Sequence, residues 1–265
     1  MILHHLRSLV VCALALVMAG LFPSHAQTDA PVVAVASDLQ FSAAEIAEAF
    51  TAETGLNVRL SVGSTGNLTR QIREGVPCEL FMAADEQFIT DLHAEGLTRD
   101  SGHLYAIGRL AIMVPQGSVL DADSQLDALE ALLAEGRITR FAIANSEHAP
   151  YAVRAHEALM HRGLWEGLQP FLVLGDSVSR VAAFALSGNA DGGIIAHSLA
   201  LAPDVARRRS HVPIPKEWHS PLRQSMALLA GAGPVAEAFH AYVTGPAGRA
   251  ISCSDMACRC HRSGH

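Results

Sequence analysis

Short apolar segments alternate with amphipathic ones along the chain, and small polar residues separate them. After Arg59, Leu60 and Val62 alternate with polar neighbours as strand residues do, and a Gly-Ser-Thr-Gly turn follows. From Asn67 to Glu74 the spacing of apolar residues is that of a helix. The segment therefore predicts a strand, a turn and a helix, with hydroxyls and backbone N–H groups together where the helix begins.

The residues of this turn, Ser64 and Thr65, have a chemistry that suits an anion. The first turn of a helix leaves its N–H groups unpaired and carries a partial positive charge. An oxyanion can therefore bind there without lysine or arginine. A hydroxyl residue that merely caps an ordinary helix gives the same pattern, and such caps are common. Both roles remain open for these two residues.

The same strand–turn–helix pattern recurs on either side of this segment. Residues 32–37 precede a predicted helix that ends at Gly55, and residues 79–84 form a third strand. Strands that alternate with helices predict a parallel sheet, and ligands of such sheets bind beyond the carboxyl ends of the strands. Four candidate residues fall there: Ser37, Asp38, Ser64 and Thr65.

A second αβ series follows the apolar segment of residues 105–115, which we predict to be one long strand. Pro150 suits the first position of a helix, and a Gly-Asp-Ser turn precedes another helix from Val178. A further apolar strand at residues 225–229 closes this series, so the chain predicts two lobes joined by a double hinge. The predicted limits are residues 27–110 with 216–250 for lobe 1, and residues 111–215 for lobe 2.

Residues 1–26 have the layout of a secretory signal peptide. A basic start precedes the apolar run from Leu9 to Phe22, which is too short to span a membrane, and small residues occupy Ser24 and Ala26. We expect cleavage near Ala26 and a periplasmic protein. Without this segment, 18 basic and 26 acidic residues give a net charge of −8, so nucleic acid is not an expected partner.

In order and spacing, these segments resemble the molybdate-binding proteins of bacterial ABC importers, which have the type II periplasmic binding protein fold. The resemblance covers about residues 31–250. It rests on motifs that include VAVASDLQFSAAEIAEAFTAETG, VGSTGNLTRQIREGVPCELFMAADE, IANSEHAPYAVRAHEAL, LVLGDSVSR and GNADGGIIAHSLAL. It implies an α/β receptor that closes two lobes over molybdate or tungstate and delivers the ion to a membrane permease. We expect a monomer that needs no cofactor.

The resemblance also implies which residues form the site. In that family, hydroxyls and backbone N–H groups from several helix N-termini hold a bare tetrahedral dianion in the cleft between the lobes. The matching positions are Asp38, Ser64, Thr65, Tyr151, Val178 and Ala196. Three residues beside them are second candidates: Ser37, His148 and His197. No metal is expected other than the molybdenum of the oxyanion.

Asp38 departs from the family, which usually has serine or asparagine at this position. A carboxylate at about 4 Å from a dianion would cost several kcal/mol, even at an effective dielectric constant near 20. Either the Asp38 carboxylate caps its own helix and points away from the ligand, or it is protonated because it is buried. Both arrangements would alter the preference among oxyanions.

Other functions remain as alternatives. The ligand could be sulfate, phosphate or a small organic anion. Serines at helix N-termini together with His197 could form a hydrolase site, although the chain has no G-x-S-x-G motif and we expect no enzyme. The effector lobes of transcription regulators share this fold, but the export signal argues against that role.

The atypical C-terminal tail, residues 251–265, contains four soft metal ligands: Cys253, Cys258, Cys260 and His261. Their spacing matches no standard zinc pattern, and a disordered or oxidised extension is the alternative.

Overall fold

The computed structural model of the protein describes residues 30–206 and 209–255. The predicted signal peptide and Cys258, Cys260 and His261 of the tail lie outside these residues. Within the described part of the chain, no helix is both long enough and apolar enough to cross a bilayer.

In the described part of the chain, ten strands form two sheets of five. In chain order the strands are β1 (Val32–Ala36), β2 (Arg59–Gly63), β3 (Leu80–Ala83), β4 (His103–Gly108), β5 (Leu110–Pro115), β6 (Phe141–Ala144), β7 (Leu172–Gly175), β8 (Gly192–Ala196), β9 (Arg209–Pro213) and β10 (Leu222–Leu228). The first sheet has the order β2-β1-β3-β10-β4, and the second has the order β7-β6-β8-β5-β9. In the first, β1 runs parallel to β2 and β3, whereas β10 is antiparallel to β3 and β4.

Eleven helices are described, and they cover the faces of both sheets. They are α1 (Gln40–Thr54), α2 (Thr65–Arg73), α3 (Glu86–Ala94), α4 (Asp127–Ala134), α5 (Pro150–His161), α6 (Trp165–Leu168), α7 (Val178–Leu186), α8 (His197–Leu201), α9 (Pro203–Ala206), α10 (Pro234–Thr244) and α11 (Pro246–Asp255). Short 3-10 turns occur at Ser37–Leu39, Gln169–Phe171 and Lys216–Trp218. The first residues of the predicted tail, 251–255, continue α11.

The central strands are apolar on both faces because helices pack on each side of the sheets. Every residue of β3 is buried. On one face of the first sheet, Phe50 of α1 and Phe239 of α10 meet edge to face at 5.2 Å between ring centroids. On the other face, Ile89 and Leu92 of α3 pack with Phe81 of β3. This packing fixes β1, β2 and β3 so that their carboxyl ends meet at one edge.

The predicted long strand of residues 105–115 is wrong in one respect, because the structure divides it at Arg109. β4 lies in the first sheet and β5 in the second, so the chain crosses between the sheets at this residue. It returns between β9 and β10. The predicted α/β class with two lobes and two connections is therefore confirmed, whereas the exact limits of each lobe remain a prediction. We use "first lobe" and "second lobe" for each sheet with its flanking helices.

Candidate functional site

Four of the predicted residues lie together at the carboxyl edge of the first sheet. Strands β1 and β2 pair in register, with Ala36 opposite Gly63, so the next residues along both strands lie side by side. Neighbouring strands are about 4.8 Å apart, which brings the Ser37–Leu39 turn next to the start of α2. All four side chains are buried, with at most 4% exposure for Ser37, Asp38, Ser64 and Thr65.

Ser64 occupies the N-cap position of α2 without acting as a side-chain cap. Its Oγ makes no capping hydrogen bond and, although buried, has no partner among the described residues. Thr65 differs, because its Oγ1 accepts a hydrogen bond from the Ala84 N–H at 3.1 Å. A buried hydroxyl without a hydrogen-bond partner costs free energy, so an oxygen of a water or a ligand would stabilise the Ser64 hydroxyl. The simple capping role left open by the sequence does not describe Ser64.

The start of α2 touches the second lobe directly. The Gly66 N–H donates to the His148 carbonyl oxygen at 2.8 Å, just before α5 begins at Pro150. A Cβ on Gly66 would lie 2.9 Å from that oxygen, closer than real Cβ atoms approach, so glycine permits this contact. His148, a second candidate from the sequence, thus contributes its carbonyl to the junction of the lobes.

The Asp38 carboxyl lies between the lobes and binds a residue of each. Gln224 Nε2, from β10 of the first lobe, donates to Asp38 Oδ2 at 2.5 Å and to the Tyr151 hydroxyl at 3.0 Å. The hydroxyl of Tyr151, from α5 of the second lobe, also bonds to the Asp38 carboxyl. Asp38, Gln224 and Tyr151 therefore form one hydrogen-bonded group, which we call the Asp38 triad.

Burial raises the pKa of Asp38 to about 6, against an ordinary value of 3.8. The hydrogen bonds from Gln224, from the backbone N–H of Asp38 and from Tyr151 each lower the pKa, but they do not offset the loss of hydration. Of the two arrangements expected for Asp38, a carboxylate that turns away to cap its own helix is not the one observed. No side chain caps the Ser37–Leu39 turn or α1.

Gln224 is the member of the site that the sequence prediction missed. It is the third residue of β10, which we predicted to begin three residues later than it does, at Ser225. A register irregularity separates Gln224 from Ser225. The Oε1 of Gln224 is buried and has no partner among the described residues. In the sequence, Gln224 is recognisable only as an uncharged amide next to an apolar strand. That pattern does not indicate which residues the amide contacts.

Two further candidates, Val178 and Ala196, lie where helices that contact the Ser37–Leu39 turn begin. Val178 is the first residue of α7, and Ala196 immediately precedes α8; both are buried. Helices α7 and α8 both pack against the turn, and Ser198 Oγ of α8 donates to the Asp38 carbonyl oxygen at 2.8 Å. The structure thus brings helix N-termini of both lobes to one region, with Asp38 and Tyr151 in direct contact.

His197 lies at the margin of this region. The backbone N–H of His197 donates to the Arg109 carbonyl oxygen at 2.9 Å. The centroid of the His197 ring lies 5.8 Å from that of the His211 ring. Burial is the main cause that lowers the pKa of His197, and the nearby positive charges of His211 and Arg109 lower it further. At neutral pH His197 is therefore uncharged, and the donors at this site are hydroxyl, amide and backbone N–H groups.

Comparison with known proteins decides the family. Residues 31–253 match the family model described as bacterial extracellular solute-binding protein. The chain belongs to this family.

Among the relatives of this solute-binding protein are two bacterial proteins with the name molybdate-binding protein ModA. The protein from Azotobacter vinelandii is 32% identical over 231 residues, which cover 86% of this chain and 89% of the relative. The protein from Rhodobacter capsulatus is 33% identical over 219 residues, which cover 82% of each chain. Among solved structures, the periplasmic molybdate-binding protein of A. vinelandii superimposes with a TM-score of 0.75 at 29% identity, covering 83% of this chain and 95% of that one.

An ion pair joins the two lobes of the solute-binding protein near the site. Arg154 Nη2 of α5 lies 3.2 Å from Oδ2 of Asp85, which follows β3, and both side chains are less than one fifth exposed. Arg154 Nη1 also bonds to Glu157 at 2.6 Å, and Glu157 accepts a hydrogen bond from the Ser220 N–H. These contacts hold the lobes close together in this structure.

Among the described residues, Ser198 and His197 do not form the hydrolase arrangement considered from the sequence. Ser198, next to His197, directs its hydroxyl to the Asp38 carbonyl, and the His197 ring lies beside His211. Among the residues that the structure describes, no group of three or more His, Cys, Asp and Glu side chains is placed to hold a metal ion. Three of the soft ligands of the tail, Cys258, Cys260 and His261, lie outside the described residues.

Proposed function

We propose that this solute-binding protein captures molybdate between its lobes and delivers it to the membrane permease of an ABC importer. The observation that supports this most directly is the buried Ser64 hydroxyl, which has no partner among the described residues and lies where helix N-termini of both lobes meet. Two relatives above 30% identity are named molybdate-binding proteins, which favours this oxyanion.

The proposed ligands are the hydroxyls of Ser64 and Thr65, the amides at the starts of α5 and α7, and the backbone around Asp38 and Ala196. Such groups stabilise a dianion because their dipoles are held in place and the helix N-termini carry partial positive charge. Tungstate has the same charge and tetrahedral shape, so we expect it to bind about as well as molybdate.

Binding is coupled to closure in this proposal because the donors belong to both lobes. Ser64 and Thr65 lie in the first lobe, and Tyr151 and Val178 lie in the second. An oxyanion touches all of them only when the lobes are together, so it shifts the population towards the closed form. We propose that the closed form is what the permease recognises.

We also propose that residues 1–26 direct export and that the mature protein works as a monomer in the periplasm. Sulfate or phosphate is the second candidate ligand, since the carboxyl of Asp38 sets this site apart from an all-neutral one.

The test is thermal unfolding of the purified mature protein, residues 27–265, with molybdate, tungstate, sulfate, phosphate and small organic acids in turn. A ligand at about one hundred times its Kd adds roughly 2.7 kcal/mol to the free energy of unfolding. We expect molybdate and tungstate to raise Tm strongly and sulfate weakly. Stabilisation by sulfate or phosphate but not by molybdate would refute the assigned ligand, and stabilisation only by an organic acid would refute the oxyanion.

A further inference from the structure

The carboxyl group of Asp38 lies among the neutral donors of the proposed oxyanion site. It is 3% exposed, and both of its side-chain partners, Gln224 and Tyr151, are uncharged. The Asp38 triad therefore places an ionisable group at the junction of the lobes, with no positively charged partner among the residues that the structure describes.

The charged groups on the surrounding elements are engaged in other contacts. Arg180 of α7 lies over the Phe184 ring, His197 of α8 faces His211, and Arg223 of β10 pairs with Glu86 at 2.6 Å. Arg154, on the same helix as Tyr151, pairs with Asp85 and Glu157. On α1, Glu45 lines the same cavity of about 160 Å³ as Asp38.

The side-chain amide of Gln224 can hydrogen-bond to Asp38 in either protonation state of the carboxyl. In the observed orientation its Nε2 donates to the carboxylate, and its Oε1 is buried and has no partner among the described residues. If the amide turns over, Oε1 lies where Nε2 was and accepts a hydrogen bond from a protonated carboxyl. The triad therefore accommodates a proton on Asp38 without any change in the surrounding fold.

We propose that oxyanion capture by this protein takes up one proton from solvent, which the Asp38 carboxyl holds in the complex. The inference rests on the proposed function, because it is the incoming negative charge that makes the proton necessary. A dianion beside an ionised carboxylate would be repelled at short range in a site of low dielectric constant, and one proton on Asp38 removes that repulsion. The binding step is then the association of protein carboxylate, oxyanion and proton.

The sign of the pH dependence follows from linkage. The carboxyl of Asp38 ionises near pH 6 in this structure, and an adjacent dianion raises its pKa further in the complex. Below about pH 6 the carboxyl is already protonated before the oxyanion binds, so the association constant does not change with pH. Above it, up to the higher pKa of the complex, binding must take up a proton, so the association constant falls about tenfold per pH unit.

The experiment is titration calorimetry of the mature protein with sodium molybdate between pH 5.5 and 8.5. At pH 7.5, repeating the titration in buffers of different ionisation enthalpy gives the number of protons taken up. We expect about one proton for the wild type and none for Asp38→Asn, which keeps the size and polarity of the side chain. We expect Asp38→Asn to bind with a Kd that no longer depends on pH, and more tightly than the wild type at pH 8.

A His197→Gln variant separates the histidine from the carboxyl, since both can titrate in this range. We expect it to keep the slope of the wild type, and melting of each variant without ligand verifies that it is folded. A wild type that binds molybdate equally at pH 6 and 8, without proton uptake, would overturn this inference and leave the proposed function intact. Failure of molybdate to bind the wild type and the folded Asp38→Asn variant at every pH would overturn both.

Discussion

At the scale of single residues, the proposed site contains buried polar atoms that have no hydrogen-bond partner among the described residues. Ser64 Oγ and Gln224 Oε1 are buried and have no partner among the described residues, whereas nearby Thr65 Oγ1 is bonded to a backbone N–H of its own lobe. A residue that only stabilises the fold would have its hydrogen bond completed within the fold. We therefore propose that Ser64 binds the ligand more directly than Thr65 does.

Ser64→Ala tests this difference. Removing a buried hydroxyl that has no partner leaves the free energy of unfolding without ligand unchanged or slightly higher. The same change removes one hydrogen bond to the oxyanion, so we expect the Kd for molybdate to rise roughly ten- to one-hundred-fold, as for a bond of 1.5–3 kcal/mol to a charged group. Calorimetry and melting of the same samples measure the two effects.

Ser187→Ala is the matched control for Ser64→Ala. Ser187 follows the last residue of α7, far from Val178 at the other end of that helix, and its hydroxyl bonds to the Phe184 carbonyl oxygen. We expect the Kd of the Ser187→Ala variant for molybdate to equal that of the wild type. Large destabilisation of Ser64→Ala together with an unchanged Kd would mean that the hydroxyl has a structural role instead.

At the scale of elements, the approach of α2 to the start of α5 sets how closely the lobes can meet. The contact is made between backbones, from the Gly66 N–H to the His148 carbonyl oxygen, and it has no room for a side chain at Gly66. Each helix is complete within its own lobe. A change at this contact should therefore affect closure and leave the folding of the lobes largely intact.

Gly66→Ala separates these two effects. Its Cβ would sit 2.9 Å from the His148 oxygen and push the helices apart, while alanine favours the helix itself by up to about 1 kcal/mol. We expect Tm without ligand to fall little and the Kd for molybdate to rise about tenfold or more. Gly231→Ala, at a glycine whose Cβ would meet nothing within 4 Å, should change neither quantity. Equal affinities in the two variants would contradict the role given to this contact.

Both the fold and half of the site could be predicted from local patterns, because a strand that ends in a small polar turn before a helix involves neighbouring residues only. Asp38, Ser64 and Thr65 were placed at one edge in this way. Gln224 was not, because it reaches Asp38 across a gap of 186 residues through strand order. The crossing between the lobes was predicted in the apolar segment of residues 105–115, but its division into two strands at Arg109 was missed, since both halves are apolar.

At the scale of the whole molecule, ion pairing adds to the forces that close the lobes. Arg154 of the second lobe bonds to Asp85 of the first and to Glu157 on its own helix, and all three side chains are largely buried. Asp85 also caps α3 by accepting from the Gln87 N–H. Arg154 is therefore the better position at which to break the link, because its loss leaves that cap in place.

Arg154→Gln should weaken closure by about 1 kcal/mol, which is roughly a fivefold faster release of molybdate in stopped-flow experiments. Small-angle X-ray scattering should also show a larger radius of gyration without ligand. Arg73→Gln is the control, because its partner Glu95 lies in the same lobe and the pair is exposed. If both variants release the ligand at the same rate, the link between the lobes does not contribute to closure.

The position of β10 also has a consequence for biogenesis. This strand lies between β3 and β4, yet it follows the entire second lobe in the sequence. In the export that we propose, the sheet of the first lobe lacks this interior strand until residue 228 has emerged. The pairing of β3 with β10, and the contact of Gln224 with Asp38, can therefore form only after the whole second lobe has emerged.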